Sequence, residues 1–274
     1  MWSLRSVNRA CEGHVGASLV RLLSTLTTPP AFNLHKRRAT QSEACKVKND
    51  YDVICFSHLR WDFVFQRPQH LLSRLSAERR VLFFEEPKLG AHQARLDVSV
   101  DGGVHVVVPH LPDGLDAEER LLVQRRLLNS LVAEQRIRQI AAWYYTPMAL
   151  AFSRHLRPLV TIYDCMDELS AFSGAPTGLQ LLEAEFMKRA DVVFTGGHHL
   201  YEAKRSMHRN IYPMPSSVDR AHFAEARTRA PSDEPSDQAG IAHPRAGFFG
   251  VIDERMNCPS SRQSPRCARS CSSS

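Results

Sequence analysis

The chain of 274 residues lacks the features that would place it at once in several large classes of protein. No apolar run approaches the ~20 residues that a membrane-spanning helix needs. Its seven cysteines include no Cys-x-x-Cys pair and no metal-type spacing, so no metal site is indicated. The formal net charge of +6 comes from residues of both signs along the chain, and therefore does not indicate binding to nucleic acid. These absences favour a cytoplasmic protein with free thiols.

The glycine-rich phosphate loops of common nucleotide-binding folds are absent as well. The first predicted strand runs into Ser57-His58-Leu59-Arg60, which has no glycine for a dinucleotide fingerprint. No GxxxxGKS or GxxxxGKT segment occurs in the chain. The sequence therefore disfavours NAD-type oxidoreductases and P-loop enzymes, and it indicates no bound cofactor.

What the chain does contain is a repeated strand–loop–helix unit. In the segment Tyr51–Leu72 an apolar run leads into a polar loop, and leucines at helical spacing follow Pro68. Continuous apolar strands that alternate with helices predict an α/β fold with a doubly wound, parallel, Rossmann-like sheet. Pro109 should close the third strand, and Asp113 and Asp116 are candidate caps of the second helix. The predicted strands are residues 53–56, 80–84, 104–108, 140–145, 159–163, 191–195 and 211–215, and the predicted helices are residues 69–75, 116–137 and 178–190.

Six stretches carry a resemblance to a known family: Phe56–Trp61, Gln66–His70, Phe83–Pro87, Tyr163–Glu168, Ala190–Thr195 and Pro215–Phe223. They resemble bacterial glycosyltransferases of the family 1/4 type, which have the GT-B fold of two facing Rossmann-like domains. The resemblance implies transfer of a sugar from a nucleotide-sugar donor to an acceptor hydroxyl in cell-surface glycan synthesis, with no metal cofactor indicated.

The resemblance also suggests how the chain is divided. Residues 50–229 are expected to form the N-terminal, acceptor-side domain, residues 230–242 a linker, and residues 243–257 the start of a second domain that is largely missing. Residues 258–274 are rich in Ser, Arg and Cys and predict a disordered tail. Residues 1–49 predict a disordered leader or a mis-assigned start, with a transit peptide as the functional alternative. Without its donor domain such a chain would be inactive as a transferase.

The loop after the first strand supplies one group of candidate site residues. His58 can orient the acceptor or take part in proton transfer, Arg60 can hold an anionic group, and Trp61 can stack on a sugar face, with Asp62 beside them. The alternative for His58 is a purely structural role. Gln66 and Arg67 precede Pro68 at a helix start and can bind an anion there, or Arg67 is only a surface charge.

A second group of candidates follows the fifth predicted strand. Asp164, Asp167 and Glu168 can bind sugar hydroxyls or raise one another's pKa for work as a base. The simpler alternative is that Asp164 caps the following turn. Ser216 and Ser217 are expected to shape the substrate side of the interdomain linker.

Two other functions remain compatible with the sequence. One is a non-catalytic binding or interaction module on the same Rossmann-like sheet, and the other is a different nucleotide-sugar enzyme, such as a mutase or epimerase. The expected partners are a nucleotide sugar and a glycan or other hydroxyl acceptor. Peripheral attachment at the inner membrane is an alternative to a purely cytoplasmic location. The face that a second domain would cover predicts self-association.

Overall fold

The structure is a computed structural model that describes residues 51–172, 174–228, 230, 234–242 and 244–245. The predicted leader, the tail, and all but two residues of the predicted second-domain segment lie outside these ranges. Within them, residues up to Ser217 form one compact unit and residues from Val218 form another. The predicted domain and linker boundaries stay predictions. No helix within the described ranges is long and apolar enough to cross a bilayer.

Nine strands and six α-helices occur in the described residues, and they alternate largely as the sequence predicts. The strands are β1 (Asp52–Phe56), β2 (Val81–Phe84), β3 (Lys88–Leu89), β4 (Arg95–Asp101), β5 (Val104–Leu111), β6 (Ile140–Tyr144), β7 (Val160–Cys165), β8 (Val192–Thr195) and β9 (Ile211–Pro213). The helices are α1 (Arg67–Leu75), α2 (Ala117–Glu134), α3 (Leu150–Ser153), α4 (Leu179–Arg189), α5 (His198–Lys204) and α6 (Arg220–Ala224).

The strands form one sheet in the order β3-β5-β2-β1-β6-β7-β8-β9, and β4 pairs with the remaining edge of β5. All pairs are parallel except β4–β5. The predicted α/β fold with a doubly wound, parallel, Rossmann-like sheet is confirmed, and β4 adds one antiparallel strand at this edge. β4 and β3 were not predicted, because their side chains are largely exposed and form no continuous apolar run.

The two faces of the sheet explain why it is doubly wound. Val53 and Cys55 of β1 pack with Leu72 and Leu75 of α1 on one face. The intervening residues of β1 pack on the other face, against buried side chains of α2 and α4. Because successive strand residues point to opposite faces, a strand buried on both sides reads as a continuous apolar run. This is why the central strands were recognisable from the sequence.

Two local predictions needed correction. Pro109 does not close β5, which continues to Leu111. β4 pairs with β5 from Val104 to His110, and beyond the end of β2 at Val107 the strand β3 pairs with His110 and Leu111. Asp116, and not Asp113, caps α2: its carboxylate accepts the Glu119 N–H at 2.9 Å, and the Glu119 carboxylate in turn accepts the Asp116 N–H.

Candidate functional site

The order in which the chain adds strands to the sheet reverses next to β1. From this central strand the chain first adds β2 and β5 on one side, then crosses over and adds β6, β7 and β8 on the other. In open α/β sheets, ligands bind outside the carboxyl ends of the strands at such a switch point. His58 follows β1 and Tyr145 follows β6, and the Tyr145 N–H donates to the Phe56 carbonyl at 2.9 Å. His58 therefore stands at the switch point, as the strand pattern predicts.

His58 combines partial burial with an unused ring nitrogen. Its Nδ1 atom is buried and has no hydrogen-bond partner within the described ranges. Burial lowers the pKa of His58, and the charge of Asp167 and the backbone of Tyr145 oppose this effect only in part. The neutral imidazole is thus favoured near pH 7, where it can accept a hydrogen bond or a proton. Asp167 is exposed and follows β7.

Arg67 and Asp164 form a buried ion pair behind this edge. The Arg67 Nε donates to Asp164 Oδ2 at 3.0 Å, and Nη2 lies 2.9 Å from Oδ1. A third donor of the guanidinium bonds to the Met214 carbonyl, which follows β9. Burial raises the pKa of Asp164 and the Arg67 charge limits the rise, whereas the Asp164 carboxylate raises the pKa of Arg67 against the effect of burial. Arg67 is neither a surface charge nor accessible to an anion; it ties α1 to the ends of β7 and β9.

Two aromatic polar groups lie close to the same carboxylate. The Tyr145 hydroxyl and the Trp143 indole nitrogen are buried, without a hydrogen bond of good geometry in the described part of the chain. Burial and the charge of Asp164 raise the pKa of Tyr145 well above its ordinary value. Asp164, which is fully buried, is therefore surrounded by Arg67, Tyr145 and Trp143. Its carboxylate does not cap the following turn; it binds Arg67 and so holds α1 against the ends of β7 and β9.

Arg60 and Trp61 hold the loop after β1 against the end of β2. The Arg60 guanidinium bonds to Glu85 at 2.8 Å and to the backbone carbonyls of Glu86 and Pro87. The other Glu85 oxygen accepts the Trp61 N–H at 2.8 Å. Trp61 is 7% exposed, packs edge-on against a core phenylalanine, and donates its indole N–H to Asp101 at 2.7 Å. The Trp61 ring is thus a core group and presents no face at the surface.

The rest of this loop is what faces outward. Asp62 is exposed, and Phe63 and Phe65 expose 74% and 66% of their surfaces. Gln66 is the N-cap residue of α1, and its N–H donates to the Gln69 side chain at 3.1 Å. The aromatic surface that the sequence prediction sought at Trp61 is therefore provided by the two phenylalanines. Ser216 and Ser217 are exposed in the segment after β9.

The three carboxylates after the fifth predicted strand are not held together as one set. Asp164 pairs with Arg67, whereas Glu168 bonds to Lys204 of α5 at 2.8 Å. Lys204 is 5% exposed and also contacts both oxygens of Glu183, at 2.8 and 2.9 Å. Burial would raise the pKa of Glu168, but Lys204 and a serine hydroxyl lower it overall. No cluster of three or more potential metal ligands occurs in the described ranges.

Four residues that shape this edge were not predicted as site residues from the sequence: Glu85, Tyr145, Glu183 and Lys204. Only Glu85 had a local signal, since a carboxylate directly after a fully apolar strand is placed at the end of that strand. Tyr145 belonged to an apolar run, and Glu183 and Lys204 lie 21 residues apart on separate helices. Partners at such separation leave no pattern in one sequence.

Two surface depressions lie at the opposite edge of the sheet. One is formed by the end of α2 and the approach to β6, and the other by the residues that precede β8 and β9. Both adjoin the amino ends of the strands, away from His58. The candidate site is consequently an open edge, defined by the side chains at the switch point.

About two thirds of the chain is similar to parts of solved sugar-phosphate synthases. A trehalose-6-phosphate synthase of E. coli bound with UDP-2-fluoro glucose matches with a TM-score of 0.43 and 11% identity, over 64% of this chain and 50% of that chain. An α,α-trehalose-phosphate synthase (UDP-forming) from Burkholderia vietnamiensis matches with a TM-score of 0.41 and 16% identity, over 65% and 51%. A sucrose-phosphate synthase from Thermosynechococcus elongatus gives 0.41 and 12%, over 65% and 95%.

These neighbours are glycosyltransferases. The chain spans about half the length of the two trehalose-phosphate synthases. No family model and no curated protein matches the chain. At TM-scores near 0.4 the likeness assigns neither substrate nor catalytic residues.

Proposed function

We propose that this chain carries the acceptor-binding unit of a nucleotide-sugar-dependent glycosyltransferase. The observation that carries the proposal is the position of His58, whose half-buried imidazole lies at the switch point of a Rossmann-like sheet and has a lowered pKa. A neutral imidazole at this place is suited to receive the proton of a sugar hydroxyl. The sequence resemblance supports the same function.

The proposed reaction assigns a separate task to each group at the edge. The His58 ring accepts the acceptor O–H, and as the hydroxyl oxygen bonds to the anomeric carbon its proton passes to the imidazole. The bond from that carbon to the nucleoside diphosphate breaks at the same time. Asp167 stabilises the imidazolium that forms, because its charge already acts to raise the pKa of His58. Phe63, the most exposed aromatic side chain of the loop, packs against the sugar face.

Arg67 and Asp164 are positioning residues in this proposal. Their ion pair joins the start of α1 to the ends of β7 and β9, and thereby fixes loops on both sides of His58. Because positioning of the hydroxyl carries much of the rate of group transfer, a rigid support behind the loop is useful. Asp164 makes no direct contact with substrate in this scheme, and Arg60 and Trp61 act by fixing the loop.

The donor is assigned by resemblance alone. The departing diphosphate needs fixed positive groups or N–H donors, and we attribute these to a donor domain, without a divalent metal from the described unit. An acceptor that belongs to cell-surface glycan likewise rests on the resemblance.

The proposal is tested by acceptor binding and by turnover in the full chain. Saturation-transfer NMR with a panel of mono- and disaccharides measures binding, and release of nucleoside diphosphate from UDP-glucose or GDP-mannose measures transfer. Sugar binding that competes with modification of His58 by diethyl pyrocarbonate would support the proposal. Sugars that neither bind nor protect His58 would refute it.

A non-catalytic binding module is the second candidate. It is favoured by the open form of the edge and by the absence of any assigned donor group in the described residues. Sugar binding at His58 without nucleoside diphosphate release, also after a donor domain is supplied by fusion, would select this alternative.

A further inference from the structure

The antiparallel strand β4 leaves one edge of the sheet open. Its seven residues pair with β5 on one side, and no described strand pairs with the other. Such an edge presents backbone donors and acceptors that can pair with another chain. Natural edge strands are commonly blocked by proline, by a bulge or by charged side chains, especially lysine. Arg95–Asp101 contains no proline and no lysine, and its charged residues Arg95, Asp97 and Asp101 alternate with apolar ones.

The side chains of β4 are separated by type onto its two faces. Leu96, Val98 and Val100 lie on one face, where Val98 is 46% and Val100 is 64% exposed. Arg95 and Asp101 lie on the other face, at the two ends of the strand. An exposed apolar row along an open edge is the surface that strand addition would cover.

We propose that β4 pairs with β4 of a second copy of this chain, antiparallel about a two-fold axis at Val98. This register places Arg95 opposite Asp101 of the other copy at both ends, Leu96 opposite Val100, and Val98 opposite itself. Directly opposed residues in an antiparallel pair share one face, so apolar residues meet apolar residues and each arginine meets an aspartate. The pairing joins the two sheets into one.

The neighbouring registers are less favourable, which is why the charge pattern selects this one. An axis at Asp97 would oppose two copies of that aspartate, and an axis at Ser99 would oppose Asp97 with Asp101 twice. Like charges directly opposite each other destabilise a strand pair. A shift by one residue would set the apolar face of one copy against the polar face of the other.

Existing contacts of the charged residues leave room for the new pair. Asp101 accepts the Trp61 indole with Oδ2, and its other oxygen makes no hydrogen bond in the described residues. Arg95 bonds to Asp97 at 3.1 Å, but both side chains are about half exposed, so this bond is readily exchanged. His110 of β5 also contacts Asp97, at 2.8 Å, and would remain its partner.

One strand pair buries little surface, and the dimer should therefore be weak and concentration-dependent. Sedimentation equilibrium of the full chain measures it, with circular dichroism to confirm folding. Val98→Lys places two cations opposite each other on the axis and should raise the dimer Kd at least about tenfold. Leu181→Lys, at a 78% exposed leucine of α4, is the matched control and should leave the Kd unchanged.

A charge-exchange pair tests the register. R95D and D101R should each dimerise at least about tenfold more weakly than the wild-type chain, and their mixture should regain the wild-type Kd. Should D101R fail to fold through loss of the Trp61 contact, V98K and R95D decide the outcome. A wild-type chain that stays monomeric up to about 1 mM would overturn the proposal. So would association that V98K leaves unchanged, or variants that weaken alone and are not restored by mixing.

Discussion

The buried pair of Arg67 and Asp164 gives a sharp test of how the edge is held. The side chains are 7% and 0% exposed, and their charges are joined by two short contacts. Removing one partner leaves the other charge buried without compensation, which typically costs about 3–5 kcal/mol of unfolding free energy. We therefore expect Arg67→Met and Asp164→Leu each to lower stability by about that amount.

The double variant separates this cause from a general loss of packing. With both charges gone, the apolar replacements fill the space, and the ion pair itself ceases to matter. The Met214 carbonyl still loses its Arg67 donor, a loss of about 1 kcal/mol. The double variant should consequently be less stable than wild type by only about 1–2 kcal/mol, so the two single effects must be strongly non-additive.

Urea unfolding followed by tryptophan fluorescence measures all three variants. Arg95→Met serves as the control, because its pair with Asp97 is 52% and 53% exposed and should be worth less than about 1 kcal/mol. Single variants that lose less than about 1 kcal/mol, or a double variant whose loss equals the sum of the singles, would refute the assignment of a buried ion pair.

Three further predictions concern the same edge. Gly196→Ala should lower the free energy of unfolding by about 3 kcal/mol, because the added Cβ would lie 2.1 Å from the Met166 carbonyl oxygen. Gly197→Ala is the control: its Cβ meets no atom within 4 Å, and the same urea assay should show a loss of less than about 1 kcal/mol. Lys204→Met should lower the melting temperature markedly, since it leaves the buried end of Glu183 without its cation, and Lys188→Met on the exposed face of α4 should not. Because burial lowers the pKa of His58, the unfolded chain binds its proton first, and wild type should lose stability as pH falls through about 6.5. A His58→Gln chain should lose less over this range; equal losses in pH-dependent unfolding would contradict the assigned environment of His58.

The central strands could be predicted because they are buried on both faces. The run Val53-Ile54-Cys55-Phe56 is apolar throughout, so the strand can be located without knowing which side chains point to which face of the sheet. β4 escaped notice because its pattern is alternating and mostly exposed, and because an edge strand needs no continuous apolar run. The prediction ended β5 at Pro109, although a proline is tolerated in β5 beyond the end of its neighbour β2.

The candidate site was only partly readable for a different reason. His58 could be placed, since the end of an apolar strand fixes the start of the loop. The partners of Arg67 and Glu168 could not, because Asp164 lies 97 residues from Arg67 and Lys204 lies on a helix that the sequence did not predict. Trp61 was expected at the surface, but its ring is buried in the core, and the exposed aromatic side chains of the loop are Phe63 and Phe65.

The central claim is that His58 lies in an acceptor-binding edge, and sugar titration of matched histidine variants tests it most directly. Saturation-transfer NMR of the full chain would use the sugar that binds best, with wild type, His58→Ala, and His92→Ala, a change at an exposed histidine after β3. We predict that His58→Ala weakens binding at least about tenfold and that His92→Ala changes it less than about twofold. Unchanged binding by a folded His58→Ala chain would contradict the account.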